Sequence, residues 1–387
     1  MATGILRIQA FAARQSAPVE GVTVNIVGDG FTAARMTDAE GNAADVTLTA
    51  PDCALSLEED NTTRLPYAVC SLTASKAGYR TVRIQGIQVF AGQVTLAQPE
   101  MIPETEEDRD VENPPIVIPP HPLFAGGGGS GRAPTDPCVP RVLDRVIIPK
   151  NITVHLGKPA ASARNVTVSF RRYIANVASS EVYPTWPESA LRANIHCQIS
   201  LALNRIYTEW YPSRGYSFNI TNSTSYDQYY VHGRTVFDVM VRLTDDIFNT
   251  YLRKTGTVNP YYSEYCDGKS VTCPGLKQWG HGHAGKTGQN TASDPEILLR
   301  QQHRDRPDPQ HPGHPAELPR LAAAAGRFRH GGVHAAAAAE PHREGLPLLR
   351  QADRGRRLRP PHGVHSQDVP AAVQPDRRRR GGAADLV

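Results

Sequence analysis

Val168-Ser-Phe-Arg-Arg-Tyr-Ile-Ala-Asn-Val-Ala-Ser-Ser-Glu-Val-Tyr-Pro-Thr-Trp-Pro-Glu-Ser-Ala-Leu-Arg-Ala-Asn194 is the stretch whose reading decides the architecture. Ser169 suits a helix N-cap, and Phe170, Tyr173, Ile174 and Val177 follow it at spacing i, i+3, i+4, i+7. That period puts one apolar face on a helix, predicted to end near Ser179 and Ser180. Thr185-x-x-Glu188 then matches a capping box, with Pro187 in the first turn of a second helix. Its apolar face runs Leu191, Ile195, Ile199, Ala202, Ile206 and Trp210. A length of about 25 residues predicts a central core helix. Glu181 falls in the short connection between the two helices.

Outward from this stretch, Val146-Ile-Ile148, Ile152-Thr-Val154 and Asn165-Val-Thr-Val168 predict short strands. Downstream, Val236, Met240, Leu243, Ile247 and Tyr251 predict a third helix, and the chain from Tyr207 to Tyr265 is rich in Tyr. Residues 141–280 therefore read as an α+β domain. Residues 1–98 read as an all-β sandwich: apolar positions alternate at Val22, Val24 and Ile26, then at Val82 and Ile84, then at Ile87 and Val89. Turn signals at Thr37-Asp-Ala-Glu-Gly41 and Lys76-Ala-Gly78 separate these runs. Residues 99–140, with an acidic run, paired Pro and Gly126-Gly-Gly-Gly129, read as a linker that lets its flanking domains move independently.

The 387 residues allow two or three domains, and the formal net charge of +4 averages unlike segments. All fourteen Tyr and all three Trp lie at or before Trp279. Residues 281–387 hold ten of the fourteen His, twelve Pro and sixteen Arg, with Lys286 and Phe328 as the sole Lys and aromatic. This tail is expected to be disordered. One reading makes it a basic tail for polyanions. The preferred one is a shifted reading frame in a GC-rich gene, because off-frame GC-rich codons give Arg, Ala, Pro, His and Gly. No nucleic-acid motif accompanies the charge. No apolar run is long enough to span a membrane, and no signal peptide is legible. Among six Cys, no Cys-x-x-Cys occurs. Cys53 with Cys70, and Cys266 with Cys273, are candidate local bridges, with free thiols as the alternative for each.

The chemistry centres on Glu181. Its neighbours Val182, Tyr183, Pro184, Trp186 and Pro187 are apolar or aromatic, and such surroundings raise a carboxyl pKa. A carboxyl still protonated near neutral pH can protonate a glycosidic oxygen, which is otherwise a poor leaving group. Tyr183 and Trp186 offer flat faces for sugar rings. Read from the residues alone, a Glu between two helices is more often a cap or a solvated turn residue. His196 beside Cys197 reads as a satisfied core histidine rather than a metal ligand.

Residues 168–206 resemble the core of the SpoIID/LytB family, whose pattern runs Tyr-x-x-x-Val, then Glu-(Met/Val)-x-Pro-x-Trp-Pro and Ala-Leu-(Lys/Arg)-Ala. Asn222-Ser-Thr-Ser-Tyr-Asp-Gln228-Tyr-Tyr is similar to its Asp-Gln segment. Tyr262-x-x-Tyr-Cys266-Asp-Gly and Gly275-Leu-Lys-Gln278-Trp279-Gly280 are similar to a downstream part of a spore-forming subgroup. The resemblance implies a peptidoglycan lytic transglycosylase of sporulation or wall remodelling, with Glu181 as acid/base on the MurNAc–GlcNAc bond. It places Tyr183, Trp186, Tyr226 and Gln228 against the glycan. It implies glycan strands as partner, a cell-wall amidase as a further one, and a wall or spore location reached from the mother-cell cytoplasm. Some relatives bind zinc through a Cys and a His near Asp-Gln; neither lies in residues 222–230, so no metal and no cofactor is expected. The family's Ala-Gln-Ala-Val-Ala-Ala-Arg continuation is here Ala193-Asn-Ile-His-Cys-Gln-Ile, which leaves open a noncatalytic, wall-binding or amidase-modulating role. Residues 1–98 resemble carboxypeptidase regulatory-like domains, which implies a binding or spacing module.

Overall fold

The structure, a computed structural model, describes residues 2–12, 17–105, 113–131, 142–279 and 297–301. Within them the fold is mixed α/β, with many strands and few helices. The first part is β1 (Ala2–Gln9), β2 (Phe11–Ala12), β3 (Ala17–Pro18), β4 (Thr23–Gly28), β5 (Phe31–Met36), β6 (Asn42–Ala50), β7 (Ala68–Ser75), β8 (Val82–Val89) and β9 (Val94–Ala97). Next come β10 (Ile116–Val117) and α1 (Pro122–Ala125). The last part is β11 (Asn151–His155), β12 (Asn165–Ser169), α2 (Phe170–Glu181), α3 (Glu188–Tyr207), β13 (Ile220–Thr221), β14 (Val236–Phe237), α4 (Asp238–Ile247), β15 (Thr250–Lys254), β16 (Tyr265–Cys266), β17 (Leu276–Lys277) and β18 (Ile297–Gln301).

Two sheets share the first core, in strand orders β14-β9-β1-β6 and β10-β8-β7-β4-β5. Val24 and Ile26 turn inward while Thr23 and Asn25 face water, as period two requires. In β8 the buried set shifts from Val82 and Ile84 to Ile87 and Val89. Leu72 pairs with Ile84 but Cys70 pairs with Ile87, so β8 carries an extra residue there, a bulge that flips the alternation.

The second core surrounds α2. Ser169 caps this helix by accepting from the Arg172 N–H, and Phe170, Tyr173, Ile174 and Val177 are buried as their spacing predicts. The helix runs one to two residues further than expected, to Glu181, because the Val182 N–H still finds the Ala178 carbonyl. The capping box does not form. Thr185 shares its hydroxyl proton with Ser56 at 2.6 Å, and Glu188 pairs with Arg192 at 2.9 Å. The second helix stops at Tyr207, so Trp210 lies beyond it, with the Arg214 guanidinium over its ring. Val236 and Phe237 are not helical. They extend the first sheet by pairing with Leu96 and Thr95, and Tyr251 falls in β15.

The regions on either side of residues 99–140 share one core, contrary to the independent movement expected of a linker. Tyr67 and Phe90 from the first region lie in the same apolar cluster as Tyr183, Leu191 and Phe237. Phe90 meets Tyr183 and Phe237 at ring separations of 5.4 Å each. The Trp186 indole N–H donates to the Ser56 carbonyl at 3.0 Å. The connecting segment is itself bonded in: β10 lines up parallel to β8, and Gln88 donates to the Pro119 carbonyl. Most of the acidic run that begins at Glu104, from residue 106 on, lies outside the described residues, as do residues 111–112 and 132–141. So does the tail, apart from β18, which pairs antiparallel with β15.

Cys266 and Cys273 are bonded. Cys53 and Cys70 are both free thiols: Cys53 sits exposed in a single helical turn, and Cys70 faces the first core. No described helix is long and apolar enough to cross a membrane.

Candidate active site

Glu181 is the last residue of α2, not part of the following turn, and its side chain has no exposed surface. A helix end holds a side chain more rigidly than a loop does. It also sets the carboxyl at the negative end of the helix dipole, which disfavours charge. Three donors reach it. Oε1 accepts from the Tyr229 N–H at 2.8 Å and from the Tyr265 hydroxyl at 3.3 Å; Oε2 accepts from the Gly129 N–H at 3.2 Å. Burial nevertheless pushes the Glu181 pKa up to about 8; the Tyr229, Gly129 and Tyr265 bonds hold it back only in part. Gln278 adds a weaker pull, although both polar atoms of its buried amide lack a hydrogen-bond partner. At neutral pH the group is therefore mainly a neutral acid. The two donors occupy both lone pairs of Oε1, so the acid proton belongs on Oε2.

Tyr265 is fixed from behind. Its oxygen accepts from Gln228 Nε2 at 3.1 Å, whose other hydrogen goes to the Gln198 carbonyl at 3.1 Å. Gln228 Oε1 in turn accepts from the Tyr173 hydroxyl at 2.9 Å. Tyr173, Gln228, Tyr265 and Glu181 are all fully buried. Burial raises the Tyr173 and Tyr265 pKa well above the ordinary phenol value, so both remain donors. This relay fixes which way each amide and hydroxyl points.

The segment that presents the Tyr229 N–H is pinned by Asp227. That carboxylate, also without exposed surface, meets Arg205 Nε at 2.7 Å, the Tyr211 hydroxyl at 2.6 Å, and the Thr221 N–H and hydroxyl at 2.9 and 2.6 Å. Arg205 is covered by the rings of Trp210 and Tyr262, each 4.8 Å away.

The structure brings together Glu181 and Gln228, through Tyr265. Tyr183 and Trp186 go elsewhere. Tyr183 is 2% and Trp186 7% exposed, and their faces are taken by Phe90, His121 and Trp279. Neither presents a free platform for a sugar ring. Tyr226 is exposed, on the loop before Asp227. His196 lies between the Arg192 carbonyl and the Thr250 hydroxyl. Among the described residues no cluster of three His, Cys, Asp or Glu could hold a metal ion.

Sequence reasoning missed Tyr265, Tyr173, Gln278 and the two backbone donors. Tyr265 and Gln278 stand inside motifs the sequence displays, so a signal existed. The donation by Gly129 had none, because a peptide N–H carries no residue identity.

No family model matches the chain, and no curated protein matches it. Among solved structures it is similar in part to the Bacillus anthracis TIE protein, at 12% identity over 43% of this chain and 26% of that one, with a TM-score of 0.19. It is also similar in part to catechol 1,2-dioxygenase from Acinetobacter sp. ADP1, at 14% identity over 30% of this chain and 58% of that one, with a TM-score of 0.20. The chain thus spans less than two thirds of either, and neither likeness is close enough to carry a fold or an activity.

Proposed function

We propose that this chain cleaves peptidoglycan glycan strands as a lytic transglycosylase of the SpoIID/LytB kind, with Glu181 as acid and then base. The observation that supports this best is a buried carboxyl, pushed up to about 8, held by three donors at a rigid helix end. The Oε2 proton passes to the oxygen bridging N-acetylmuramic acid and N-acetylglucosamine as the C1–O bond breaks. The resulting carboxylate, stabilised by Tyr229 and Tyr265, takes the proton of the muramic acid 6-hydroxyl as that oxygen closes on C1. The 1,6-anhydro ring forms, Glu181 is neutral again, and no water is consumed. Glycosidases that hydrolyse need a second carboxylate to activate water or attack C1. A nucleophile supplied by the substrate removes that need.

On this reading residues 1–98 form a carboxypeptidase regulatory-like sandwich that binds or spaces. Residues 141–280 are the SpoIID-like domain, and the place of action is the wall or the spore. The second reading is a noncatalytic wall-binding or amidase-modulating protein. One observation favours it: Glu181 has no exposed surface. Incubating the full chain with purified peptidoglycan and analysing the products by mass spectrometry separates the two. Anhydro-muropeptides released by wild type and reduced about 10²–10⁴-fold in Glu181→Gln support the first. Glycan pull-down with no product, or product indifferent to that substitution, ends it.

A further inference from the structure

Residues 126–131 follow α1 and run directly across Glu181. Besides the Gly129 N–H on Oε2, Gly129 bridges antiparallel to Cys266, and the Asp267 N–H donates to the Gly128 carbonyl at 3.2 Å. The Ser130 N–H donates to the Tyr265 carbonyl at 2.8 Å, and the Ser130 hydroxyl accepts from the Tyr265 N–H at 3.0 Å. On the other side the Gly131 N–H donates to the Asp227 carbonyl at 2.7 Å, and the Tyr262 hydroxyl donates to the Gly131 carbonyl at 3.2 Å. The strip thus fills a slot between residues 226–229 and residues 262–267.

The fit depends on missing side chains. Gly129 has φ of +138°, and a Cβ there would stand 2.8 Å from the Tyr265 carbonyl oxygen and 2.9 Å from Cys266 Cα. A Cβ on Gly131 would run into the Tyr226 carbonyl. A second observation points to a polar ligand. Gln278 is 1% exposed, its amide makes no hydrogen bond of ordinary geometry beyond its weak pull on Glu181, and its Oε1 lies 3.1 Å from where a Gly128 Cβ would be. A buried amide left unpaired at both ends is costly. The hydroxyl and acetamido groups of an amino-sugar chain offer both complements; the bare Gly128 backbone beside it satisfies neither.

We infer that residues 126–131 are a strap lying in the seat of the glycan strand, and that Gln278 is a substrate-contacting residue of that seat. The inference rests on the reading of Glu181 as the acid that protonates the glycan. A polymer cannot reach a carboxyl without exposed surface, and the proton-bearing oxygen is the one that Gly129 covers. The strap is held by backbone and hydroxyl hydrogen bonds that water can replace, so an open state is a minor member of the same ensemble. Substrate selects that state, and its apparent affinity is reduced by the fraction that is closed.

The test is carboxyl labelling of the full chain with a water-soluble carbodiimide and glycinamide, read at Glu181 by peptide mass spectrometry. Gly129→Val cannot lie in the slot, and Ser130→Ala loosens it by removing the hydroxyl at Tyr265. Glu181 should label at least about tenfold faster in Gly129→Val than in wild type, with a smaller gain in Ser130→Ala. Anhydro-muropeptide release should rise with it. A cooperative melt verifies that each variant is folded; where Gly129→Val is not, Ser130→Ala decides. Labelling of folded variants at the wild-type rate overturns the strap. Faster labelling with no product from any form keeps the strap and ends the catalytic reading instead. In the loosened background, Gln278→Ala should raise the glycan concentration for half-maximal rate about tenfold, with Glu181 labelling equally fast. An unchanged requirement removes Gln278 from the seat.

Discussion

Asp227 and Glu181 are both carboxyls without exposed surface, standing on neighbouring segments, yet they meet opposite surroundings. Asp227 has a guanidinium at 2.7 Å and three further donors. Glu181 has three neutral donors and, among the described residues, no cation. Burial is therefore not what sets a carboxylate's role. A buried ion pair keeps its charge and fixes geometry. A buried acid without a cation keeps its proton, and a held proton is what an acid catalyst needs. The two are coupled through the chain, because Asp227 positions the backbone that gives Glu181 its shortest hydrogen bond.

The contrast breaks most visibly at Arg205. Arg205→Met leaves the Asp227 charge buried without a cation and should lower stability by about 3–5 kcal/mol, read from urea denaturation at neutral pH. A loss below about 1 kcal/mol would mean that the Arg205–Asp227 pair is not what holds this segment.

Glu181→Gln should behave in the opposite way, because it removes a titration rather than a charge. The folded pKa of about 8 lies above the ordinary 4.5, so between these values the folded chain holds the extra proton. The contribution of Glu181 to stability is full below pH 4.5 and falls as pH rises towards 8, by up to about 1.4 kcal/mol per pH unit. The stability of wild type minus that of Glu181→Gln should decline across that window and be flat outside it. A difference independent of pH would show that the Glu181 pKa is not raised by folding.

Tyr265→Phe sharpens the comparison more gently. It removes one of the three donors, so the Glu181 pKa should rise further, moving the alkaline limb of activity upward. The stability cost should be about 1 kcal/mol. Trp186→Phe leaves both carboxyls untouched and removes only the neutral bond to the Ser56 carbonyl. A loss of at most about 1 kcal/mol gives the baseline for a buried hydrogen bond joining the two regions. A larger loss in the melt would mark that seam, rather than either carboxyl, as the weak point.

Legibility followed the range of the interactions. The Ser169 cap, the face of α2 and the alternation in β4 were readable because each depends on residues within a few positions. The capping box at Thr185 was a sound local pattern, but Ser56 competed for the same hydroxyl from 129 positions away. Val236 fitted a helical period, but the open edge of β9 offered it and Phe237 backbone partners that a helix start does not. Tyr183 and Trp186 were read as faces for sugar rings; the partner that takes the Tyr183 face, Phe90, belongs to the first region, beyond the reach of any periodicity.

By itself, the sequence determined the helix that leads to Glu181, the strand alternation of the first region, and the identity of the carboxyl most worth watching. Helical period, capping and alternation are short-range consequences of backbone geometry, so they survive reading without a fold. Tertiary structure alone decided that burial raises the Glu181 pKa and that Asp227 has a cation partner, since both depend on what distant segments bring around each carboxyl. It also decided the part played by Gly126 to Gly129. Composition made them a flexible spacer, and the same absence of side chains lets that backbone lie flat against the acid.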